Sequence, residues 1–506
     1  MNRRDFLKAV LGTSGLIAVW PAVSGRQITK PETNSQCLIV KKPEGVLVND
    51  VHTELNPTIV DRIVYTNSLN TIQETIRSAR RDGKVICVAG ARHAMGAQQF
   101  STHGVLIDMT AMSRVLNFNP DEGTIEVEAG IQWPQVIGYL LKAQEGHPKR
   151  WGIAQKQTAD WLSMGGSLGS NVHGQGLQMR PFIQDVESFV LIDSHGKEHR
   201  CSRHENTQLF RLAIDGYGLF GIIYSVTQRL VTRQKVERVV EIISVEHLMQ
   251  AYENRIADGF LYGTFIYSAN PESDDFLRKG IFVCYRPVDT AKPVSDYPKQ
   301  PSNDEWINLR YLAHTDKEQY FQKVSSHYLS TSGKLYWSDT HQMGMYIKGY
   351  HHQLDRTLGT PEASDIPTEI FIPRESLVDV IDEMREDFRR NRVDLIFGDI
   401  GVIQQDDESF LAYARKPWAR VSFHTHALHN PEGIEHSLQA LRRLIDMAVR
   451  RGGSYYLTNH KIATPEQVKA CYPQFPEFIR LKKKYDPEER FQSDWYCHYK
   501  EMFADL

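Results

Sequence analysis

Cysteine is scarce in this sequence: six occur in 506 residues, at positions 37, 87, 201, 284, 471 and 497. No two stand at CxxC spacing, which excludes a cysteine-clamped zinc and a dithiol redox pair. HExxH is absent too, and with it the usual zinc-hydrolase helix. An excess of charge of one sign is also lacking. The formal net charge is -3, and no basic stripe is visible, so neither nucleic acid nor an anionic membrane surface is expected as a partner. The uncharged run AVLGTSGLIAVWPAVSG, near the start, falls short of the roughly 20 apolar residues that span a bilayer. Repeats and low-complexity segments are missing. No GxGxxG follows the first strand, which argues against a simple doubly wound dinucleotide fold. What remains is 41% hydrophobic and 24% charged, ordinary for a globular chain with a real core. Its length suggests about three domains.

The chain reads as short mixed units. LNTIQETIRSARR (69–81) puts Leu69, Ile72, Ile76 and Ala79 on one helical face, and Gly83 ends the helix. VICVAG and VLIDM read as strands, and TIEVEAG (124–130) alternates as a third. Trp133-Pro134 opens a helix with Val136, Ile137, Leu140 and Leu141 behind it. VESFVLIDSHGKEHRCS reads as two strands around a Ser194-His195-Gly196-Lys197 turn. Cys87 and Cys284 lie in apolar runs and are expected as buried thiols, and an oxidising compartment would allow disulfides among the six cysteines. Residues 287–305, rich in proline, aspartate and lysine, read as a long surface loop.

Two stretches demand more than folding. AGARHAMGAQQF (89–100) lies between two strands, where a short turn would suffice, yet it is long, small-residued and carries one histidine. SMGGSLGSNVHG (163–174) is the second. Glycine lets the backbone approach a ligand closely, and successive N–H groups in such loops form concavities that take phosphate. Two of them about seventy residues apart could grip a pyrophosphate from both sides.

The ordered set ARHAMG, TIEVEAGIQWPQV, SMGGSLGSNVHG and GYGLFGIIYSVTQRLV resembles the FAD-binding domain of the vanillyl-alcohol oxidase superfamily, the p-cresol methylhydroxylase type, over about 55–234. The tail, GGSYYLTNHK followed by KYDPEERFQSDW, is similar to that of its aldonolactone oxidase, alditol oxidase and decaprenylphosphoryl-ribose oxidase members. The resemblance implies an α+β fold: a two-subdomain FAD-binding domain, a substrate domain over 235–450 on an antiparallel sheet flanked by helices, and a segment, 451–506, that returns to the flavin. It implies FAD held by Gly90, Ala91, Arg92, His93, Ala94, Met95 and Gly96 in the first loop. In the second loop it implies Gly165, Gly166, Ser167, Gly169, Ser170, Asn171, His173 and Gly174, with Gly221, Ile222 and Ile223 on the adenine side. His93 aligns with the histidine that many members bond to the flavin, so FAD could be covalent through His93. Arg92 stands where the family has glycine, and Ala94 where it has serine. No cysteine precedes the second loop, so a second tether is not expected. Asn459 stands where the ribose oxidase carries lysine, which counts against that substrate.

The implied reaction is oxidation of an alcohol or lactol carbon of a sugar, alditol or aldonolactone-like small molecule. Hydride would pass to flavin, and electrons then to oxygen or to a quinone or cytochrome. His460 and Lys461 are the leading candidates for the base, with Tyr336 and His173 behind them. STSGKLYWSDTHQMGMYIKGYHHQLD crowds Tyr336, Trp337, Asp339, His341, Gln342, Tyr346 and Tyr350 together, as a sugar pocket would, and Glu369 is a further candidate contact. An expected arginine is taken to be replaced by Gly401. The rival reading is a binding or metal-binding protein on a flavoprotein scaffold. His424 and His426 share a strand face, with His429, His351 and His352 nearby, but no carboxylate spacing accompanies them and no metal is expected. Finally, Asn2-Arg3-Arg4-Asp5-Phe6-Leu7-Lys8 resembles a twin-arginine export signal with cleavage after Ser24, implying a periplasmic or secreted protein. A membrane contact is expected only if that signal stays uncleaved.

Overall fold

The computed structural model describes residues 45–147, 149–294, 302–341 and 349–504. The signal-like segment 1–24 and Cys37, Gln342 and Tyr346 lie outside the described residues. The fold is α+β.

Three short strands form a parallel sheet in the order Arg62–Tyr65, Val105–Asp108, Ile86–Ala89. The middle strand, VLID, is buried along its whole length, as the centre of a covered parallel sheet requires. The helix Leu69–Arg81 crosses between the outer two strands. Ser68 caps it by accepting from the Thr71 N–H, and Ile72, Ile76 and Ala79 are buried on one face. Gly83 follows at φ +64°, a left-handed stop that suits glycine.

This topology answers part of the puzzle of residues 89–100. Ile86–Ala89 and Val105–Asp108 run parallel, and parallel neighbours cannot be joined by a tight turn. The chain must travel the length of the sheet, and it does so as an irregular loop. The expectation that a short turn would suffice is therefore corrected.

A second, five-stranded sheet is antiparallel in the order Glu198–Ser202, Val186–Ile192, Ile222–Arg229, Thr124–Glu128, Val115–Asn119. Its first two strands are the hairpin read around Ser194–Lys197, with Gly196 at φ +82°. The helix Trp133–Ala143 starts with Pro134 in its first turn and buries Trp133, Val136, Ile137 and Leu140. Leu141, expected on that face, is exposed instead. The glycine-rich segment is not wholly a loop: Met164–Gly169 is a short helix capped by Ser163.

The third unit is a nine-stranded sheet. Along its main path lie Leu335–Trp337, Lys235–Ser244, Lys279–Val288, Tyr262–Tyr267, Asp399–Ile403, Trp418–Leu428, Ala363–Ile372 and Ser454–Tyr455, with Leu395–Phe397 paired to Trp418–Leu428. The helices Leu377–Arg390 and Pro431–Val449 pack at the Trp418–Leu428 end. Part of the expected loop 287–305 is different: Ser302 and Glu305 form a capping box that opens the helix Asn303–Thr315. The described cysteines are free thiols, with Cys87, Cys201, Cys284 and Cys471 buried and Cys497 exposed. Among the described residues no helix is long and apolar enough to cross a membrane.

Candidate active site

One cavity, of about 430 Å³, is lined by both glycine-rich segments, by the Tyr217–Gly221 turn and by one face of the large sheet. This is within the range of small-molecule and cofactor sites.

Its first wall is mostly backbone. Gly90, Ala91, Arg92, His93, Ala94 and Met95 line it, as do Gly165, Gly166, Gly169, Ser170, His173, Gly174, Gly221 and Ile223. Glycine has a specific task at two of these positions. A Cβ on Gly165 would come within 2.8 Å of the Ala129 Cβ, so the short helix could not pack where it does. A Cβ on Gly169 would meet no atom within 4 Å; it would stand in the cavity itself. At these two positions the wall is thus kept free of side chains.

Arg92 breaks the glycine pattern at a position with φ +63°. A left-handed conformation costs an L-residue about 1–2 kcal/mol. The Arg92 guanidinium offsets this by donating to Asp108 at 3.0 Å, a carboxylate buried at the end of the central parallel strand. The loop is also pinned from the C-terminal segment. Met95 N–H donates to the Thr458 carbonyl at 3.0 Å, and the Gln98 amide to the Leu457 carbonyl at 2.8 Å. Residues 490–492 extend the parallel sheet further: Ile86 N–H donates to the Arg490 carbonyl, and Gln492 N–H to the Ile86 carbonyl.

His93 faces the cavity, and its Nδ1 lies 2.9 Å from Nε2 of His52. Burial and the neighbouring His52 push His93 down to about 3, and burial with His424 and His351 does the same to His52. Both imidazoles are neutral at pH 7, so one nitrogen of the pair donates and the other accepts.

The second wall is side chain. Ala363–Ile372 and Trp418–Leu428 pair so that Asp365 faces His426, Pro367 faces His424, and Glu369 faces Ser422. Side chains alternate across a strand, so these residues and Arg420 share one face. Arg420 donates to Glu369 at 3.2 Å and forms ion pairs with both oxygens of Asp399. Glu369 also holds His173 Nε2 at 2.9 Å. Burial alone would raise the Glu369 carboxyl, but His173 and then Arg420 hold it below its usual value. Burial likewise opposes ionisation of Asp399, yet the Arg420 charge and the hydrogen bonds from Arg420, Ser422 and Thr264 bring it to about 2. The floor therefore presents two ionised carboxylates around one guanidinium, beside an imidazole. Farther along, the Arg310 guanidinium sits 4.0 Å over the Phe397 ring, and Tyr350 and His424 complete this end.

Several expected residues are not on the wall. Gly96 backs onto the Asn459 carbonyl and Trp495. Ser167 accepts from the Trp133 indole. Asn171 turns its amide to Asp406 and its oxygen to the Ile183 N–H, and Ile222 faces away on its strand. Among the expected catalytic residues only His173 lines the cavity. His460 is buried but off the wall, although Thr458 and Asn459 just before it line the cavity, and Lys461 is likewise off the wall. Tyr336 is corrected most: its strand is four steps along the sheet from Asp399–Ile403, about 19 Å at ordinary strand spacing. There it packs with Val236, Tyr285 and Arg238. Asp339 pairs with Arg233 at 2.7 Å and His341 with the Tyr285 hydroxyl at 2.8 Å. The part of that aromatic-polar stretch before position 342 holds a sheet edge together, and among its described residues Tyr350 and His351 reach the cavity.

Arg420 is the functional residue that the sequence reading does not single out. The Gly401 position does lack a side chain, but Gly401 pairs directly with Arg420, and a Cβ there would come within 3.0 Å of the guanidinium. The neighbouring strand supplies the cation, and the glycine makes room for it. The signal was the alternation in ARVSFHTHAL, polar at 420, 422, 424 and 426.

Comparison with known proteins agrees with this geometry. Residues 60–202 match the family described as "FAD binding domain". An "Uncharacterized oxidoreductase ORF5 in fasciation locus" of Rhodococcoides fascians is 27% identical over 49% of this chain and 54% of its own length, so that match spans about half of the relative. Cytokinin dehydrogenase 9 of Oryza sativa subsp. japonica is 23% identical over 84% of this chain and 83% of its own. L-gulono-1,4-lactone dehydrogenase of Mycobacterium tuberculosis is 22% identical over 86% of this chain and 94% of its own. The glycine-rich cradle fits the cofactor that the matched domain binds, and the chain is similar to FAD-linked oxidoreductases of the p-cresol methylhydroxylase type.

Proposed function

We propose that this protein oxidises a CH–OH carbon of a polyhydroxylated, sugar-lactone-like substrate at the junction of the two walls. The observation that carries the reading is their meeting in one cavity: a glycine-rich cradle that carries His173 on one side, and Glu369 and Arg420 on the other. When bound, FAD supplies the two-electron acceptor for a hydride. The segments 90–95 and 165–174 would hold its phosphates, and Gly221 and Ile223 its adenine side.

The remaining chemistry belongs to this chain. Glu369 is the base: it is ionised, faces the cavity and is oriented by two partners. A base must reach the hydroxyl proton in the substrate's bound pose, which His460, Lys461 and Tyr336 do not from behind the wall. Arg420 keeps Glu369 ionised before the proton arrives and steadies Asp399 beside it. His173, bonded to Glu369, provides the route by which that proton leaves. Relatives named for L-gulono-1,4-lactone and D-arabinono-1,4-lactone support a lactone-forming or lactone-like substrate. His93 is the covalent anchor in this reading, with His52 placed to exchange a proton with it. Oxygen or a respiratory acceptor takes the electrons onward, and the arginine-paired N-terminus directs export.

The test starts with the visible spectrum and acid precipitation of the purified protein. Flavin absorbance that stays in the pellet, and moves to the supernatant in a His93→Ala variant, supports the anchor. Yellow supernatant from the native protein removes the anchor but leaves the oxidoreductase. A protein that stays colourless after incubation with FAD overturns the reading. Anaerobic bleaching by a panel of aldonolactones, alditols and cytokinins then identifies the substrate class. Bleaching by cytokinins alone would overturn the sugar assignment.

A further inference from the structure

Beyond the flavin site, the same sheet face ends in a cluster that the redox chemistry does not use. His314 closes the helix Asn303–Thr315, while Asp365 and His426 face each other across two paired strands. His314 Nε2 stands 3.4 Å from Asp365 Oδ1, and His426 Nδ1 stands 3.3 Å from the same oxygen. The three ligand atoms lie within 4.8 Å of one another. The side chains of His314 and Asp365 are 5% and 1% exposed.

These separations are long for N–H···O hydrogen bonds, which fall at about 2.7–3.2 Å, and only the His426 contact still counts as one. They equal the edge of a tetrahedron, about 3.3–3.6 Å, whose centre lies about 2.0–2.2 Å from imidazole nitrogen and carboxylate oxygen, the bond lengths of zinc. His314 Nε2 is buried and makes no hydrogen bond. The other carboxylate oxygen, Asp365 Oδ2, accepts from the Tyr350 hydroxyl at 2.7 Å, the kind of outer partner that fixes a metal-binding carboxylate. The two imidazoles meet edge to face, with ring centroids 4.7 Å apart, so both nitrogens can converge on one point.

We propose that His314, Asp365 and His426 bind a divalent cation of the zinc class, with three protein ligands and a fourth position for water. The cation clasps the helix to the sheet. Arg310 lies four residues before His314 and so on the same helical face, and the clasp holds its guanidinium at the cavity. This also revises the sequence reading of the histidines: His426 takes part, whereas His424 stacks on Phe397. The missing carboxylate comes from the partner strand, not from local spacing.

The experiment is metal binding to the untagged full-length chain after chelator treatment. Zn²⁺ is titrated by calorimetry, and Co²⁺ by ligand-field bands at wavelengths beyond flavin absorption. One equivalent per chain is expected, lost in His314→Ala and in His426→Ala, and kept in His429→Ala, whose imidazole is already bonded to Ser364. Should those variants not fold, X-ray absorption of the zinc-loaded native protein decides: two imidazoles in the inner shell support the site, and any shell without them overturns it. No binding by the native chain, or binding that survives both substitutions, also overturns it. None of these readings uses turnover, so the flavin assignment and the metal assignment fail separately.

Discussion

One wall of the cavity is backbone and the other is side chain. The first works by absence: Gly165 and Gly169 clear a space, and Arg92 accepts a left-handed conformation so that its loop keeps the same course. The second works by juxtaposition: Glu369, Asp399 and Arg420 come from three strands and become useful only when paired. A requirement for glycine is local and is written in the sequence where it applies. A requirement that an arginine lie between two carboxylates is satisfied by whichever strand is in register. Here that strand is the neighbour of the expected one.

Filling the backbone wall should have the largest effect. Gly169→Val places a side chain in open space, so the fold should persist while FAD is no longer retained. Circular dichroism with flavin absorbance of the purified protein checks this, and a yellow Gly169→Val protein would mean the cradle lies elsewhere. On the side-chain wall, Glu369→Gln should keep the flavin and lower kcat by about 10²–10⁴, the usual worth of a positioned base, as read by anaerobic flavin reduction. A loss under threefold would return the role to His173.

Arg420→Met should leave two buried carboxylates without their cation and destabilise the protein by about 3–5 kcal/mol, measured by denaturant unfolding. The same variant sharpens the pH dependence. Both carboxyls are held below their ordinary values in the folded chain. The stability they contribute is present above the unfolded carboxylate value of about 4 and is lost as pH falls through the folded values, about 2 for Asp399. Removing Arg420 should move that acid limb upward. An unchanged limb would show that Arg420 does not govern it. The smallest effect is expected at Tyr336→Phe, within about twofold in kcat/KM, because the ring packs at the far edge of the sheet. A large kinetic defect would contradict the assignment of the cavity itself.

The difference between the walls also tells how much was legible in advance. The helix over 69–81, the hairpin around Gly196 and the strands on either side of the first loop follow from periodicity and turn residues, which act over a few positions. The length of that loop is not legible in advance, because parallel pairing is not visible in either strand alone. Tyr336 draws attention through its aromatic company, whereas the alternation around Arg420 marks a strand face without saying which strand it pairs with. Sequence proximity does not report spatial proximity in either case.

The two glycine-rich loops, the histidine at the centre of the first one, the lack of CxxC spacing and the α+β pattern of short units are all local properties of the chain. These are constraints that each residue meets with its own backbone or its near neighbours. That Glu369, Arg420 and His173 share a cavity, that residues 457–459 close over the 90–100 loop, and that His314, Asp365 and His426 converge follows from long-range packing alone. The physical reason is register. Contacts across paired strands and between distant segments depend on which residue faces which, and a slip of one position turns every side chain to the other face.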